Sequence, residues 1–585
     1  MKSLEKNSQL IYSALIFFCL FFVSLSVSAE VKSVQQLNQA VQALQANSNG
    51  RVNISRALKS PYISFLRADP KLPVVDISLS RLPEVRARNF LQNQKAAFVD
   101  TNMPLDLTTT QVSNASGQSI VRLQQIYNGV FVRGGEVVVQ MNNAGITTVN
   151  SKLVSNLNGL DITPSASSQD ALVAARNIIL DLYGVAGVSF STPKLEIFNE
   201  GALTGRPGLS RLAWFIEATD TMVDEYIWVD AKTGKLIKNF SQIARLHTKD
   251  RATFDALNAC TLDNIIDPVL ADGGQTSGVP DADANSAHDN AGVAYDYYLN
   301  NFNRDGLDPN RTEPPAVITI QSIVNLCDTF SAFVQPTCLA LELAAWNGSQ
   351  MLYATGYAVD DIVGHEYTHA VIRYTANFNL VGESGALAES FADIIGETID
   401  IANAGNDTGD IAWDIGEDSP VIGAFRNLKS PGLNVPPSPA SVTDTNFYCG
   451  ADDDVFIHTN SSVLSHSFAL LVDGTDFNSV AITPVALDKA SRIFYEGLLL
   501  LTSNSQFSDA FNALRAAADA LETSMVITVA ENLSLHNVLD AVELNVPSPC
   551  ADKQIAFCPT GQAPKFIFSE FLTSFLKFFS KTFLL

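Results

Sequence analysis

The sequence predicts an α+β chain in which a strand-rich first half precedes a largely helical second half. Three observations carry that expectation. Apolar residues alternate along Ile120 to Tyr127 and run on through Val137 to Met141, on either side of an Asn128-Gly129 pair. Alternation marks half-buried strands, and Asn-Gly is the preferred pair for a two-residue hairpin turn. Ile362, Val363, Ala370, Val371 and Ile372 then recur without an intervening proline, and Phe507 to Leu521 repeats at helical spacing. At 585 residues the chain can form several domains, each with its own core.

Taken in order, residues 1–29 read as an export signal. Lys2 and Lys6 precede an apolar run from Leu10 to Val27, and Val27-Ser28-Ala29 offers a small-residue cleavage site. A retained anchor is the alternative, because the run is long for a signal. The chain is therefore expected to be secreted, and Cys19 would leave with the signal. Six cysteines remain: Cys260, Cys327, Cys338, Cys449, Cys550 and Cys558. An even number in an exported chain points to disulfides, and six allow about 15 connectivities. Short loops favour Cys327–Cys338 and Cys550–Cys558. A net charge of −24, spread without long acidic blocks, argues against nucleic acid as a partner.

Residues 30–246 form a separate unit. After the hairpin, Asp170 to Tyr183 reads as an amphipathic helix, and Ala213 to Glu217 and Tyr226 to Asp230 read as strands. The break falls in a basic stretch from Arg245 to Arg251. Beyond it, Ala287 to Tyr298 is expected to be helical, Val317 to Val324 a strand, and Asp281 to Asn285 a polar surface turn in preference to a calcium-binding loop. His288 and His466 are read as structural.

The chemistry is concentrated in His365-Glu366-Tyr367-Thr368-His369. On a helix, His365 and His369 lie one above the other on one face and can point two imidazoles at one ion. Two neutral nitrogens plus one carboxylate suit zinc, with a fourth position open. Glu366 is rotated off the ligand line, as suits a general base. Glu389, in the second helical pattern Glu383 to Asp393, is the third ligand candidate. Asp393, one turn later, can take the outer N–H of a zinc histidine.

These two motifs, with Ala345-Trp346-Asn347-Gly348-Ser349, Trp413-Asp414-Ile415-Gly416-Glu417-Asp418 and Ile457-His458-Thr459-Asn460-Ser461, stand in one order over about residues 251 to 546. Together they resemble the thermolysin (bacillolysin, neutral protease) family of zinc metallopeptidases. Tyr127 to Glu136 resembles the fungalysin/thermolysin propeptide, at about 60–150, and the unit at about 165–246 resembles a PepSY domain. The resemblance implies a proenzyme whose propeptide acts as intramolecular chaperone and inhibitor. It implies a two-lobe enzyme: a β-rich N-terminal lobe with the zinc helices (247–395), a helical C-terminal lobe (396–547) and a tail (548–585). The mature form is expected to be a monomer that cleaves protein and peptide substrates on the N-terminal side of bulky apolar residues.

By the same resemblance one zinc ion is held by His365, His369 and Glu389, with Glu366 as base and His458 as stabiliser of the developing oxyanion. Asp453 orients His458, Arg426 holds the substrate carbonyl, and Ala344, Ile362 and Phe425 line the substrate cleft. Asp361, Asp400, Asp414 and Glu417 match calcium ligands, and Asp410 falls in an apparent insertion near them. Two positions depart from the family: Leu380 stands where a tyrosine donor is usual, and Leu343 where an asparagine binds substrate backbone. A catalytically weakened zinc-containing binding protein is the alternative that these two leucines favour; a propeptide acting mainly on other proteases is a third reading. In the tail, Phe566 to Leu585 reads as an amphipathic helix that docks on the enzyme, lies on a membrane or is processed off.

Overall fold

The computed structural model describes residues 37–46, 52–56, 60–76, 78, 80–155, 157–183, 187–199, 201–202, 208–220, 223–241, 251–257, 267–272, 276, 279–307, 320–326, 344–404, 412–450 and 452–552. The export signal, the stretch from Arg245, Leu343, Asp410, the Cys327–Cys338 pair, Cys558 and the tail helix lie outside the described residues.

The first domain is one continuous sheet. Its strands are β1 (Val52–Arg56), β2 (Ile63–Ala68), β3 (Asp106–Ala115), β4 (Gln118–Tyr127), β5 (Val130–Met141), β6 (Ile146–Ser151), β7 (Ser189–Phe190), β8 (Lys194–Asn199), β9 (Ser210–Asp220), β10 (Val223–Asp230) and β11 (Leu236–Ser241). The main path runs β1-β2-β6-β5-β8-β9-β10-β11, with β4 on β5, β3 on β4 and β7 on β9. The β4–β5 turn is formed as expected: Asn128 and Gly129 both have positive φ, 49° and 82°, and Tyr127 faces Val130. Pairing is antiparallel except between β5 and β8, where the two units recognised in sequence fuse edge to edge.

Helices α1 (37–46), α2 (Pro83–Asn93) and α3 (Lys95–Phe98) cover one face of the sheet's first half, closing Leu44, Phe90 and Leu91 over Val121, Leu123 and Val139. Helix α4 (Ser168–Tyr183) packs Ala171, Ala175 and Ile179 against Ile216, Ile227 and Val229. The strand burial explains an anomaly in the alternation. β4 is buried on both faces, because Phe65, Ile120 and Val138 join the core of the second half of the chain.

The second half begins with a five-stranded sheet of β12 (Arg251–Asp255), β13 (Leu270–Ala271), β14 (Ile320–Leu326), β15 (Ala344–Trp346) and β16 (Met351–Ala354), in the order β13-β12-β14-β16-β15. Helix α5 (Ala282–Phe302) starts earlier than expected: Asp281 is no surface turn but an N-cap, accepting from Ala284 N at 2.9 Å. His288 sits between Thr253 and Asp272, and His466 Nδ1 lies 2.8 Å from the Ala440 carbonyl.

Helices α6 (Asp360–Arg373) and α7 (Gly382–Ala404) form the centre of the molecule. The C-terminal lobe adds β17 (Asp414–Ile415), β18 (Arg426–Asn427), α8 (Asp453–Asn460), α9 (Ser462–Asp473), α10 (Leu487–Leu498), α11 (Phe507–Thr523) and α12 (Val529–Ala541). The apolar run Leu499 to Leu501 does not extend the helix before it. Helix α10 stops at Leu498, and residues 499–505 turn away beneath the first domain.

Cys550 pairs with Cys449, 101 residues away, not with Cys558. Helix α12 and the turn after it bring the end of the lobe back over the loop that enters α8, so the short-loop expectation for Cys550 fails for a tertiary reason that spacing does not carry.

Candidate active site

Helix α6 is helical for reasons its sequence states. Asp360 and Asp361 sit in the first turn and Arg373 in the last, each complementing the helix dipole. It crosses α7 with the two backbones in contact. A Cβ at Gly364 would lie 3.0 Å from Gly396 Cα, and one at Gly396 would lie 2.6 Å from the Asp361 carbonyl oxygen. That approach sets His365 and His369 of α6 opposite Glu389 of α7.

The three side chains converge. His365 Nε2 and His369 Nε2 are 3.0 Å apart, and each lies 3.5 Å from a Glu389 oxygen. Ligands about 2.05 Å from a tetrahedral ion stand roughly 3.3 Å from one another, so these spacings bracket the edge of a zinc tetrahedron. The donor set therefore fits zinc. His365 Nδ1 meets Asp393 Oδ1 at 2.9 Å, which leaves Nε2 to face the site. Arg426 Nη2 donates to the same oxygen at 2.6 Å. Burial works against the Asp393 carboxylate, but Arg426 and His365 outweigh it and hold its pKa below the usual range. Burial likewise opposes the Glu389 carboxylate, and His369 and His458 overcome it, holding its pKa well below the usual value.

His458 reaches the site from α8, with Nε2 3.4 Å from Glu389 Oε2. The expectation that Asp453 orients it is corrected. Nδ1 lies 2.9 Å from the carbonyl oxygen of Asp454 and 3.3 Å from its carboxylate. Residues four apart share a helix face, whereas five apart are rotated by about 140°. Burial instead raises the pKa of Asp453, and Lys238 of β11 pulls it the other way. Glu366 and Ile362 are buried on α6. Phe425 is 41% exposed, with the Arg426 guanidinium 4.8 Å from its ring centre. Ala344 pairs with Tyr353 at the sheet edge, and Leu380 packs half-buried against the main core.

The carboxylates expected to take calcium do not all meet. Asp400 is buried and faces Asp360 and Asp418 closely enough for one ion; neither partner was among the sequence candidates. Asp361 accepts from Gly416 N at 2.5 Å and Ile362 N at 2.6 Å. Asp414 accepts from Asn427 Nδ2 at 2.6 Å. Glu417 is one of the acids that act on a further residue the sequence reading missed, Glu397. It is fully buried, and neither of its oxygens has a hydrogen-bond partner among the described residues. With Glu389, Asp393 and Asp400 it completes one stripe along α7, spaced by four, four and three residues, and that spacing was the available signal.

Burial, then Asp361, Glu417 and Asp400, push the Glu397 pKa well above the usual value; burial raises Asp361 to about 6. Folded protein stripped of metal thus keeps protons that the unfolded chain has lost above about pH 4.5. Its stability is expected to fall as pH rises from about 3.8 through 6, by roughly 3 kcal/mol in all from Asp361 alone. Glu397→Gln is expected to flatten that fall. Calorimetry of both proteins in chelator across this range checks it, and equal slopes would remove Glu397 from the cause.

The description of a thermolysin metallopeptidase catalytic domain matches residues 230–373, and that of the thermolysin metallopeptidase alpha-helical domain matches residues 376–538. A fungalysin/thermolysin propeptide motif matches residues 105–153. Neutral protease B of Bacillus subtilis (strain 168) is 28% identical over 456 residues, covering 69% of this chain and 78% of its own. Thermolysin of Alicyclobacillus acidocaldarius subsp. acidocaldarius is 28% identical over 508 residues, covering 75% and 86%. Among solved structures, the precursor of protealysin, a metalloproteinase from Serratia proteamaculans, aligns at 22% identity with a TM-score of 0.39, over 50% of this chain and 87% of that one.

Proposed function

The chain belongs to the thermolysin metallopeptidase family and is a zinc metalloendopeptidase carrying a propeptide, and from that premise we propose how it works. It is exported as a proenzyme and cleaves peptide bonds on the N-terminal side of bulky apolar residues. The observation that carries this is the convergence of His365, His369 and Glu389, with His458 Nε2 at 3.4 Å from the same carboxylate.

Zinc held by those three side chains would supply a Lewis acid that polarises a carbonyl and acidifies a water. Glu366 takes the proton of the attacking water and delivers it to the leaving amine. His458 must carry a proton on Nδ1 to face the Asp454 carbonyl, so Nε2 donates to the substrate oxygen only when the ring is doubly protonated. The carboxylates of Asp454 and Glu389, 3.3 and 3.4 Å away, offset that charge. Arg426, pinned by Asp393, presents a fixed cation to a substrate carbonyl. Ile362 and Phe425 keep the accepting pocket apolar, and the size of Phe425 narrows it. Hard cations near Asp400, with Asp360 and Asp418 close enough to share an ion and Asp361, Glu397 and Glu417 adding acidic charge nearby, brace the far end of α7 as calcium sites.

The first domain supports the proenzyme reading by touching two elements beside the site and setting a cation near a third. Arg373, at the end of the zinc-motif helix, lies 3.6 Å from Glu217 and 5.5 Å from the ring of Tyr226. Residues 499–505 take a second set of contacts, and the charge of Lys238 acts on Asp453 at the start of α8.

The test is cleavage of a quenched peptide carrying Leu or Phe at the accepting position, before and after chelation and zinc restoration. Cleavage that chelator leaves untouched would overturn the mechanism. Leu380→Tyr adds a donor to a site that His458 already serves. It is expected to raise kcat by about tenfold, less than the 10²–10³ a principal oxyanion donor carries. An unchanged kcat would make the leucine neutral.

A further inference from the structure

The end of α10 is left open by its own lobe. The last carbonyls of a helix need partners, and here the run continues as Leu499, Leu500 and Leu501, all buried. Their carbonyls are taken by side chains of the first domain. Arg122 donates from Nη1 to Leu501 at 2.7 Å and from Nη2 to Leu499 at 2.8 Å, and Asn150 Nδ2 donates to Leu500 at 3.1 Å. Two positions on, Ser503 donates to both Glu136 oxygens, from Oγ at 2.7 Å and from N at 3.3 Å. The fit is close. Gly134, at φ +72°, lies against Asn504, whose Nδ2 would be 2.0 Å from any Cβ there.

The other side of the same strip holds the root of the zinc site. Asn379 N donates to the Ser503 carbonyl at 2.9 Å, and Asn379 Nδ2 donates to Asn504 Oδ1 at 2.5 Å. Asn379 in turn accepts from Ser384 Oγ at 2.7 Å, and Glu383 accepts from Phe507 N at 2.9 Å. Ser384 and Glu383 form the first turn of α7, the helix that carries Glu389.

We propose that residues 499–504 are a template strip through which the propeptide positions the zinc site, with Arg122 as the positioning residue that reads it. This rests on the proenzyme reading and adds a route to it: Arg122 holds the carbonyls of Leu499 and Leu501, and Ser503 and Asn504, further along the same irregular strip, hold Asn379 and through it the start of α7. Burial lowers the Arg122 pKa to about 10, with Glu136 acting in the opposite sense, so the guanidinium stays charged at neutral pH and its two donors stay in place. Other links from the first domain reach α11 instead, through Arg67–Asp519 at 3.0 Å and Lys152–Asp509 at 2.5 Å. The outlying pair Lys71–Glu522 involves a lysine side chain that is 58% exposed, and it plays no part in the route.

The experiment uses the full chain carrying Glu366→Ala, so that it does not depend on self-cleavage. Amide hydrogen exchange is read at segments 499–505 and 376–386, with helix α12 as reference, and bound zinc is counted after refolding. Arg122→Met is expected to speed exchange at least tenfold in both segments together, leave α12 unchanged and lower the zinc-loaded yield several-fold. Arg122→Lys restores part of the protection, and Lys71→Ala behaves as the parent. If 499–505 loosens while 376–386 keeps its protection, or if neither changes, the route is wrong. Should Arg122→Met not fold, Asn150→Ala and Glu136→Gln each remove one contact and must loosen both segments; protection at 376–386 equal to the parent in both variants overturns the proposal. A protein that binds no zinc but shows the coupled exchange would fail the metallopeptidase reading and leave the template intact.

Discussion

Glu366→Ala is expected to keep its zinc and lose about 10²- to 10⁴-fold in kcat, the range that a positioned general base supplies. Glu366 is next to His365 in sequence but is not among the three side chains whose donor atoms converge. Its charge is nevertheless felt across the site: it helps raise the pKa of His365, of Arg426 and of the buried Tyr353 phenol. A carboxylate near the ligands yet outside their set is placed to move a proton without holding the ion. Zinc content by elemental analysis and kcat on one peptide separate the cases. Loss of zinc together with activity would make Glu366 a ligand or a structural support, and turnover at the parent rate would put the base elsewhere.

Cys449→Ser is expected to give the next largest effect, on stability. The Cys449–Cys550 bridge closes a loop of 101 residues, and in the chain-entropy account a loop of that size contributes about 4.7 kcal/mol. That corresponds to a fall in Tm on the order of 10 °C for the lobe it encloses. The bridge ties the loop entering α8, and hence His458, to the end of the lobe. Calorimetry without reductant, with Cys550→Ser as the matching variant, measures it. A Tm within a degree of the parent would mean the bridge constrains nothing that unfolding releases.

Local periodicity made much of this legible. His365 and His369, one helical turn apart, and Glu389 and Asp393, likewise one turn apart, specify two helix faces from sequence alone, and the structure needs only one crossing to bring them together. Asn128-Gly129 specified its hairpin for the same local reason. What escaped was either a matter of phase or of tertiary path. Asp454 rather than Asp453 lies beside His458 because a helix pairs fourth neighbours, and family spacing had pointed to the fifth. Glu397 repeats the interval that singled out Asp393, but an acid among apolar neighbours carries no sign that it is buried. Asp360 and Asp418 meet at Asp400 only through the fold. The apolar run after Leu498 has the composition of a helix, and it is drawn off by a guanidinium nearly four hundred residues earlier in the chain.

The touching backbones of Gly364 and Gly396 act as a gauge for ion size. Nothing compressible lies between α6 and α7 at that point, so the gap between the two imidazoles and the carboxylate is set by peptide against peptide rather than by adjustable side chains. A jaw of fixed opening grips an ion whose bonds are near 2 Å and fits poorly around a larger one such as calcium, whose oxygen ligands stand at about 2.3–2.6 Å. The crossing thus favours a small ion between His365, His369 and Glu389, while Asp360, Asp400 and Asp418 stand close enough to share one ion further along α7.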